Sequence, residues 1–344
     1  MNAPKLNDEY INLKYKDVLK IKSGKDQKKV ECESGIYPIL GTGGQIGKTN
    51  SFLYDKPSVL IGRKGTINKP QYMETPFWTV DTLFYSHIYE PNIPKYLFYS
   101  FQNVNWKKYD ESTGVPSLSS STIESVECNI PSKEEQLKVA DFLSLLDKKI
   151  ELQSKKIEDL KLFKKGLSTT IFNSLRDFEE YKLGKICNIT TGKLDANAMI
   201  DNGKYRFYTC AKEYSLIDKY AFDTEALLIS GNGAYVGYIH YYKGKFNAYQ
   251  RTYVLDNFSQ NIQFIKCYLE ENLAKRINSE KKEGNTPYIV LSTLSDMVIK
   301  IPSKENQIKI SNIINCHNKK IELEENKLLK LQELKKGLMQ SMFV

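Results

Sequence analysis

The sequence lacks the patterns that mark membrane-spanning, secreted and metal-binding proteins. No run of about 18 apolar residues occurs in the chain, so no transmembrane helix is expected. The N-terminal stretch MNAPKLNDEY has no apolar signal core. Its six cysteines form no C-x-x-C pair and its three histidines are scattered, so we expect neither a disulfide framework nor a metal site. We therefore expect a soluble protein of the bacterial cytoplasm.

Motifs for catalysis are also missing. The chain has no H-E-x-x-H, no G-x-S-x-G, and no closely spaced acid pair with a lysine that would indicate a nuclease. The stretch NTPY, from Asn285 to Tyr288, is similar to the Asn-Pro-Pro-Tyr signature of amino-methyltransferases, but Thr286 stands at the first proline. No Gly-rich strand–helix unit for a methyl donor is evident. We predict that the chain by itself is not an enzyme.

A glycine-rich stretch, LGTGGQIGKTN at 40–50, superficially resembles a phosphate-binding loop. The P-loop pattern G-x-x-x-x-G-K-[ST] needs a glycine where Thr42 stands, and Gly41 lies one position too early. The corresponding stretch of the second half, YTCAKEYSLID at 208–218, has neither glycines nor a Gly-Lys-Thr ending. We therefore predict no ATP site here, and instead a loop whose small residues allow close backbone approach.

The chain is an internal repeat. Residues 130–172 and 301–343 align without a gap at an offset of 171 and share 19 identities in 43 positions, including the opening IPSKE and the later KKIEL and KKGL. Fainter matches precede them, among them Gly65 with Gly233 and Pro116 with Pro287. We predict four segments in the order domain, helix, domain, helix, with a pseudo-twofold relation between the halves. Their bounds are 1–129, 130–172, 173–300 and 301–344.

Each repeated segment is predicted to be one long helix of a coiled coil. Ser132 and Ser303 suit N-caps, and apolar residues then follow the 4,3 spacing of a heptad seam. About 40 residues at about 1.5 Å each give helices of about 60 Å. The first helix ends where the second domain begins, and the second helix begins where that domain ends. If the termini of that domain lie close together, the helices run antiparallel.

The two domains differ in character from the helices. They hold all 23 tyrosines and both tryptophans, and short β-favouring runs such as SVLIG and TYVLD alternate with turn residues. Helical pieces are expected at 94–105 and 262–276. We predict an α+β fold with two strand-rich domains. The net charge of +9 allows a polyanionic partner, although a mildly basic surface is an equally good explanation.

Taken together, these features strongly resemble the specificity subunit of type I restriction–modification systems. The resemblance rests on IPSKEEQ…KKI…KKGL and IPSKENQ…KKI…KKGLMQSMF, on VLIGRKGTI followed by PFWTVDT, and on the N-terminal PKL. It implies two target-recognition domains, each reading one half of a split, asymmetric site in double-stranded DNA. It also implies an antiparallel coiled coil that sets the spacing and docks two methyltransferase subunits, which restriction subunits then join.

The same resemblance places the cofactors on the partners. It implies S-adenosylmethionine on the methyltransferase subunits, and ATP and Mg²⁺ for the motor-nuclease activity of the restriction subunits, with no cofactor in this chain. One departure from the pattern is mild. The second domain has ISGNGAYVG where the first has IGRKGTIN, so the motif is weaker in the second half.

Polar, basic and aromatic loop residues are the candidate DNA contacts, because Arg, Lys, Asn and Gln read base edges and grip phosphates. The candidates of the first domain are Gln45, Lys48, Arg63, Lys64, Lys69, Trp78 and Thr79. Those of the second are Asn232, Tyr235, Tyr249, Gln250, Arg251 and Asn285. Among them, Lys48 and Lys64 are expected on phosphates, and Gln250 or Arg251 on bases. Candidates for the methyltransferase-facing surface are Leu167, Leu338, Met339 and Phe343, although core packing explains the two leucines equally well.

Two other classes of function remain open at this point. One is the specificity subunit of another bipartite system, in which the partner is a fused methyltransferase–nuclease, and only the partner chain separates this class from the first. The other is a coiled-coil adaptor that never touches DNA, for which any DNA affinity would lack a steep salt dependence. The DNA sequence recognised and the spacer length do not follow from the amino-acid sequence.

Overall fold

The computed structural model describes residues 9–280 and 288–343. The chain forms two compact units: unit 1 comprises Met1–Ser154 and Asn326–Val344, and unit 2 comprises Lys155–Glu325. Each unit therefore contains half of each long helix. The fold is α+β with strand-rich sheets, which confirms the predicted class. Within the described residues, no helix combines the length and the apolar character needed to cross a membrane.

Unit 1 consists of short strands, three short helices and two half-helices. Its strands are β1 (Ile11–Lys14), β2 (Leu19–Lys22), β3 (Tyr37–Gly41), β4 (Gly44–Thr49), β5 (Ser58–Gly62), β6 (Gln71–Met73), β7 (Trp78–Thr79), β8 (Leu83–Ile88) and β9 (Glu127–Ile130). Its helices are α1 (Tyr15–Val18), α2 (Pro94–Asn103), α3 (Ser120–Ser125), the first half of α4 (Lys133–Asn173) and the last part of α8 (Lys304–Met342). A 3₁₀ turn spans Trp106–Tyr109.

The strands of unit 1 form three sheets. One sheet is antiparallel in the order β2-β8-β5-β6, and a second has the order β4-β3-β7, with β3 parallel to β7. In the third, β1 pairs with β9, so that Ile11 lies opposite Ile130. This pairing brings the start of the domain next to the strand that leads into α4. The glycine-rich stretch is the β3–β4 hairpin, and no helix follows it as a P-loop would require.

Unit 2 contains longer strands and a longer helix than unit 1. Its strands are β10 (Glu179–Lys182), β11 (Asn188–Thr191), β12 (Tyr205–Tyr208), β13 (Ser215–Ile217), β14 (Phe222–Ser230), β15 (Ile239–Ala248), β16 (Thr252–Asp256) and β17 (Val298–Ile301). Its own helices are α5 (Leu183–Ile186), α6 (Ile262–Glu280) and α7 (Leu291–Ser295), with a 3₁₀ turn at Ala196–Ala198. The helical pieces predicted near 94–105 and 262–276 correspond to α2 and α6.

The strand order of unit 2 repeats that of unit 1. Six strands form one sheet in the order β11-β16-β14-β15-β12-β13. Residues 239–246 of β15 pair antiparallel with β14, as β6 does with β5, and its end pairs parallel with β12, as β7 does with β3. A single strand thus takes the place of two. The pair β10–β17, with Glu179 opposite Ile301, again brings the two ends of the domain together.

Aromatic side chains pack against one another in both main cores. In unit 1, Tyr15 is fully buried, with its ring centroid 4.4 Å from that of Phe101 and its hydroxyl 2.7 Å from the Ser100 hydroxyl. In unit 2, Phe172 from the end of α4 packs against Phe264 of α6 at 5.9 Å between ring centroids. Each such buried side chain contributes about 2 kcal/mol to folding through the hydrophobic effect. The cores therefore hold α2 and α6 against their sheets.

The repeated glutamine of the IPSKE-x-Q motif ties each long helix to its domain. The side-chain amide of Gln136 donates to the Pro131 carbonyl at 3.1 Å, and its oxygen accepts from the N–H of Ile93, the N-cap of α2, at 2.8 Å. Gln307 makes the same two bonds, to the Pro302 carbonyl at 2.9 Å and from the backbone N–H that precedes α6 at 3.0 Å. Both glutamines are buried, so these bonds are shielded from water.

Both long helices begin where the sequence predicted. The Ser132 hydroxyl accepts from the N–H of Glu135 at 3.4 Å, and the Ser303 hydroxyl accepts from the N–H of Asn306 at 3.3 Å. These side chains satisfy N–H groups that have no partner inside a helix. With 41 and 39 residues, α4 and α8 are each about 60 Å long at about 1.5 Å per residue.

The helices run antiparallel within each unit. In unit 2, Lys156 pairs with Glu324 at 2.9 Å, and the ring centroids of Phe163 and His317 lie 5.2 Å apart. A step forward along α4 is therefore a step backward along α8. In unit 1, Asp147 of α4 pairs with Lys335 of α8 at 2.6 Å. The predicted heptad positions are buried or half-buried along both helices, which confirms the seam.

The first lysine of the repeated KKGL motif contacts a helix of the domain in both units, α2 in unit 1 and α6 in unit 2. Lys335 Nζ is 2.6 Å from Asp147 Oδ1 and donates to Gln102 Oε1 on α2 at 3.4 Å. Lys164 Nζ is 3.6 Å from Glu270 Oε2 on α6. Gln102 and Glu270 occupy equivalent positions of the repeat, at an offset of 168. The motif therefore attaches the ends of the two helices to the domains.

Candidate nucleic-acid interface

A set of strand ends and loops, which we call the loop frame, lies at one end of the sheets in unit 1. It comprises residues 24–25, 40–45, 62–66, 79–82 and 116–118. Three backbone hydrogen bonds join its parts: Val80 N–H to the Leu40 carbonyl at 3.1 Å, Arg63 N–H to the Thr82 carbonyl at 2.8 Å, and Leu118 N–H to the Arg63 carbonyl at 3.0 Å. These bonds hold four separate stretches of chain at fixed positions.

Unit 2 repeats this loop frame bond for bond. It comprises residues 192–193, 208–213, 230–234, 248–251 and 288–289. The equivalent hydrogen bonds run from Tyr249 N–H to the Tyr208 carbonyl at 2.9 Å, from Gly231 N–H to the Arg251 carbonyl at 2.9 Å, and from Ile289 N–H to the Gly231 carbonyl at 2.8 Å. One backbone arrangement thus occurs in two copies, and each copy carries different side chains.

A glycine with positive φ marks the same position of the loop frame in both units. Gly65 has φ of 87° and Gly233 has φ of 80°, a conformation that residues with a Cβ rarely adopt. The residues before these glycines, Lys64 and Asn232, form isolated β-bridges, to Ser117 and to Tyr288 respectively. The weak sequence match between the two glycines is therefore a match of backbone geometry.

Three of the predicted contacts of unit 1 lie exposed in its loop frame: Gln45, Arg63 and Lys64. Arg63 and Lys64 follow β5 directly and belong to the connection that the frame holds in place. Gln45 lies next to the turn of the β3–β4 hairpin, and its side-chain amide donates to the Gly47 carbonyl at 3.2 Å. These positions stay predictions, and the structure brings the three side chains to one end of the unit.

The other four candidates of unit 1 are either not exposed or lie outside the loop frame. Thr79 is fully buried because side chains alternate along β7, so it is not available to a ligand. Trp78 is half-buried and donates from its indole N–H to the Lys25 carbonyl at 2.9 Å. Lys48 lies at the far end of the hairpin, opposite Pro38. Lys69 lines a groove of about 530 Å³ beside the end of α8.

In unit 2 the loop frame gathers most of the candidates. Gln250 and Arg251 are exposed in the connection from β15 to β16, and Tyr249 precedes them with partial burial. Asn232 is half-buried, and Tyr235 is exposed in the β14–β15 connection. Asn285, the last candidate, lies outside the described residues. The second loop frame therefore presents an amide, a guanidinium and phenol groups together.

Sequence reasoning missed an aromatic and basic cluster beside this frame. The Arg206 guanidinium lies 4.3 Å from the ring centroid of Tyr214 and 4.5 Å from that of Tyr242. Its hydrogen bond with the Tyr208 hydroxyl raises the pKa of Arg206, so it stays charged. Lys212 Nζ lies 5.4 Å from the ring centroid of Tyr235. The signal in the sequence was the alternation of tyrosine and basic residues, which identifies no contact partners by itself.

The titratable groups near the second frame include one histidine. The Nε2–H of His240 donates to the Ala211 carbonyl at 2.9 Å, and burial lowers the pKa of the imidazole below its usual value.

The buried cysteines Cys128 and Cys187 are not reactive thiolates, because burial raises the pKa of each thiol to about 12. The described residues contain no group of three or more potential metal ligands from His, Cys, Asp and Glu.

The candidates for the partner surface are mostly core residues. Met339 is buried in the main core of unit 1, and Leu338 and Phe343 pack against that core. The ring of Phe343 lies 5.1 Å from that of Tyr96 between centroids. Only Leu167 of the four remains outside the described cores, and it is half-buried. Helix docking onto the domain therefore explains three of these four residues.

Both long helices nevertheless expose large apolar side chains that sequence reasoning missed. Three repeat-related pairs are each more than two-fifths exposed: Leu137 with Ile308, Leu152 with Leu323, and Phe163 with Leu334. Isolated exposed apolar residues are common, but this set recurs at the 171-residue offset of the repeat. The signal was available in the sequence as apolar residues outside the heptad seam.

Comparison with known proteins agrees with this duplicated arrangement. The model of the family described as "Type I restriction modification DNA specificity domain" matches twice, at residues 7–162 and 176–333. A type I restriction enzyme EcoDI specificity subunit of Escherichia coli is 35% identical over 165 residues, which are 48% of this chain and 36% of that protein. This chain thus spans about a third of that relative's length. A putative type I specificity subunit of Mycoplasma pneumoniae, S.MpnORF365P, is 26% identical over 62% of this chain and 83% of its own length.

A solved structure shows the same fold. The S subunit of a type I restriction–modification system from M. genitalium matches with a TM-score of 0.73 at 19% sequence identity, over 99% of this chain and 98% of that one. At this identity the likeness establishes the fold alone. The family model, by contrast, matches both halves of the sequence, and each match contains one loop frame and most of one long helix. The chain therefore belongs to the family of type I restriction modification DNA specificity domains, of which it carries two copies.

Proposed function

We propose that each unit reads one half of a bipartite, asymmetric site in double-stranded DNA through its loop frame. The observation that carries this proposal is the pair of loop frames, which share three backbone hydrogen bonds but present different side chains. A reader of two unlike half-sites needs the same docking geometry twice and different base contacts each time. We assign the recognition domains to residues 1–129 and 173–300, and the connecting helices to 130–172 and 301–344.

The helices are proposed to dock two methyltransferase subunits. The repeat-related exposed pairs Leu137 with Ile308, Leu152 with Leu323, and Phe163 with Leu334 support this part, because a duplicated apolar surface fits two copies of one partner. Restriction subunits join the resulting core. S-adenosylmethionine, ATP and Mg²⁺ are used by these partner subunits, and the complex acts in the cytoplasm. This chain supplies the recognition and carries out no chemical step.

Co-expression with a methyltransferase subunit, followed by genome-wide sequencing of modified adenines, tests the proposal. The expected result is a single split motif with two defined half-sites and a spacer of constant length. Replacing residues 173–300 with the second recognition domain of a related subunit is expected to change one half-site and leave the other intact. A copurifying partner without any methylated motif would show that the loop frames do not read DNA. Failure to copurify would favour a coiled-coil adaptor that never touches DNA.

A further inference from the structure

A Gly-Lys pair recurs in the two loop frames at an offset of 168. Gly24 and Lys25 follow β2 in unit 1, and Gly192 and Lys193 follow β11 in unit 2. Both stretches connect the edge strand of a sheet to the rest of the domain. Neither lysine belongs to the candidates chosen from the sequence, and the weak local match, SGK against TGK, gave no reason to choose them.

Close backbone packing holds the pair in place in unit 1. A Cβ on Gly24 would lie 2.0 Å from the Val80 carbonyl oxygen, so only glycine fits there. The N–H of Lys25 donates to the Thr79 carbonyl at 2.9 Å, and the Lys25 carbonyl accepts from the Trp78 indole N–H at 2.9 Å. The backbone of Lys25 is therefore bonded on both sides to the loop frame.

The same packing recurs in unit 2. A Cβ on Gly192 would lie 1.9 Å from the Ala248 carbonyl oxygen. The residue after Lys193, Leu194, forms a parallel β-bridge with Tyr249, and its carbonyl accepts from the N–H of Gln250 at 2.9 Å. Lys193 thus lies directly beside the connection that carries Gln250. In both units a glycine brings the chain against the frame, and the next side chain is a lysine.

The internal repeat separates what the two frames have in common from what differs. Arg63 and Lys64 of unit 1 correspond to Gly231 and Asn232 of unit 2, so the cations after β5 are not retained. Across the loop-frame segments, Lys25 with Lys193 is the only charged residue that both halves keep. Two unlike half-sites differ in base sequence, but every DNA duplex offers the same phosphate backbone. A lysine that both halves keep is suited to bind the phosphate backbone, which all DNA duplexes share.

Both ammonium groups are available for such a contact. Lys25 and Lys193 are exposed, and neither forms a salt bridge with a described residue. The nearest acids along the chain are engaged elsewhere: Asp26 accepts from the N–H of Lys28 at 3.1 Å, and Asp195 accepts from the N–H of Ala196 at 2.6 Å. The two lysines therefore project from stretches of chain that lie against the loop frames, without a partner in the described chain.

We propose that Lys25 and Lys193 are an equivalent pair of DNA phosphate contacts, one in each unit, that position the loop frames without reading sequence. This inference rests on the proposed function of the frames as DNA readers. Lysine suits the role because a phosphate needs only a point charge within reach. The diverged residues around each lysine then read the bases of that half-site.

The test is the salt dependence of DNA binding by the full chain in complex with its methyltransferase subunits. The probes are duplexes that carry the methylated motif found by adenine sequencing, and duplexes in which either half-site is scrambled. Lys25→Ala and Lys193→Ala are each expected to lower the slope of log K against log salt by about 0.9. At 0.1 M salt each is expected to weaken binding by about eightfold, equally for every duplex that the complex binds, since a contact of that slope scales with salt to the power −0.9.

Matched controls come from the opposite ends of the same strands. Lys16 on α1 and Lys185 on α5 are exposed lysines that precede β2 and β11, so Lys16→Ala and Lys185→Ala are expected to leave the slope unchanged. Lys25→Arg and Lys193→Arg keep the charge and are expected to restore the slope. Unchanged thermal unfolding of all variants shows that each one folds.

Each outcome decides between the two levels of the proposal. If the wild-type complex neither methylates a motif nor discriminates between duplexes, the proposed function is wrong, and the assignment of the phosphate contacts is then wrong as well. If the wild-type complex discriminates but the alanine variants keep its slope, the lysines alone are wrongly assigned. A loss that appears only when one half-site is intact would show that the lysine reads a base, which also overturns the proposal.

Discussion

The two units share one strand order but build it differently. In unit 1, β6 and β7 are separate short strands, and the strands divide into a four-stranded and a three-stranded sheet. In unit 2, β15 runs for 10 residues without a break and joins the same strands into one six-stranded sheet. The three backbone hydrogen bonds of the loop frame are nevertheless present in both. The frame therefore does not depend on the continuity of the sheet behind it.

The side chains on the frames differ more than the backbone does. Besides the shared Lys25 and Lys193, unit 1 places its cations after β5, at Arg63 and Lys64, whereas unit 2 places them at Lys212, after β12, and at Arg251, before β16. In each unit the same backbone hydrogen bond joins the connection after β5 or β14 to the one before β8 or β16. It runs from the Arg63 N–H to the Thr82 carbonyl in unit 1 and from the Gly231 N–H to the Arg251 carbonyl in unit 2. One backbone arrangement can therefore carry different side chains, with the fold kept. Four sets of substitutions test this comparison, from the largest expected effect to the smallest.

The glycines against the frame are expected to be the least replaceable residues in both units. Gly24→Ala and Gly192→Ala force a methyl group onto a carbonyl oxygen, and each is expected to lower the free energy of unfolding by about 3 kcal/mol through overpacking. Denaturant unfolding with hydrogen exchange resolves which unit is affected. Gly43→Ala and Gly114→Ala are the controls, because a Cβ added at either residue would have no atom within 4 Å. Equal stability of test and control variants would show that the loop frame can shift to accommodate the added methyl group.

The buried glutamines are expected to contribute equally in the two units. Gln136→Ala and Gln307→Ala each remove the two hydrogen bonds that both glutamines make and leave buried groups unpaired, at an expected cost of about 2 kcal/mol. Gln307→Ala also removes a third bond, which the Gln307 amide donates to Gln260 Oε1 at 3.0 Å. Hydrogen exchange is expected to rise at the start of α2 for the first variant and of α6 for the second. Lys133→Ala and Lys304→Ala, at exposed positions of the same motif, are expected to change little. A loss of stability in only one unit would show that the two glutamines are not equivalent.

The KKGL lysines are expected to differ between the units. Lys335 lies 2.6 Å from Asp147 and is mostly buried, whereas Lys164 lies 3.6 Å from Glu270. We expect a cost of about 1 kcal/mol for Lys335→Ala and about half of that for Lys164→Ala, as for partly exposed ion pairs. Thermal unfolding in low and high salt measures both. The second lysines of the motif, in Lys336→Ala and Lys165→Ala, serve as exposed controls, and the opposite ranking would contradict the structural difference.

The smallest expected effect is a pH dependence confined to unit 2. His240 bonds the Ala211 carbonyl, while its counterpart Gln71 bonds the Gly41 carbonyl and does not titrate. Because burial lowers the pKa of His240, the unfolded chain takes up a proton near pH 6.5 that the folded one resists. The contribution of His240 to the stability of unit 2 is therefore complete above about pH 6.5 and falls as the pH drops below it. Hydrogen exchange near residue 211 measures this, and His240→Gln is expected to abolish it.

Much of the helical architecture could be predicted because its signals are local and periodic. Ser132 and Ser303 cap the helices as expected, and the 4,3 spacing identified the buried seam. Individual site residues were harder to predict. Thr79 sits beside Trp78 in the sequence, yet the alternation of β7 buries one and half-exposes the other. Nothing local states which face of a two-residue strand meets the core.

The repeat itself, the α+β class, the long helices and their antiparallel direction followed from the sequence, since identities at a constant offset and heptad spacing are properties of the chain. Only the tertiary structure decided that residues from five separate stretches form one loop frame, because backbone hydrogen bonds between distant strands set that proximity. It also decided that Met339 belongs to a core and that Lys25 and Lys193 stand at equivalent places. Burial and proximity depend on packing between distant parts of the chain, which no local pattern encodes.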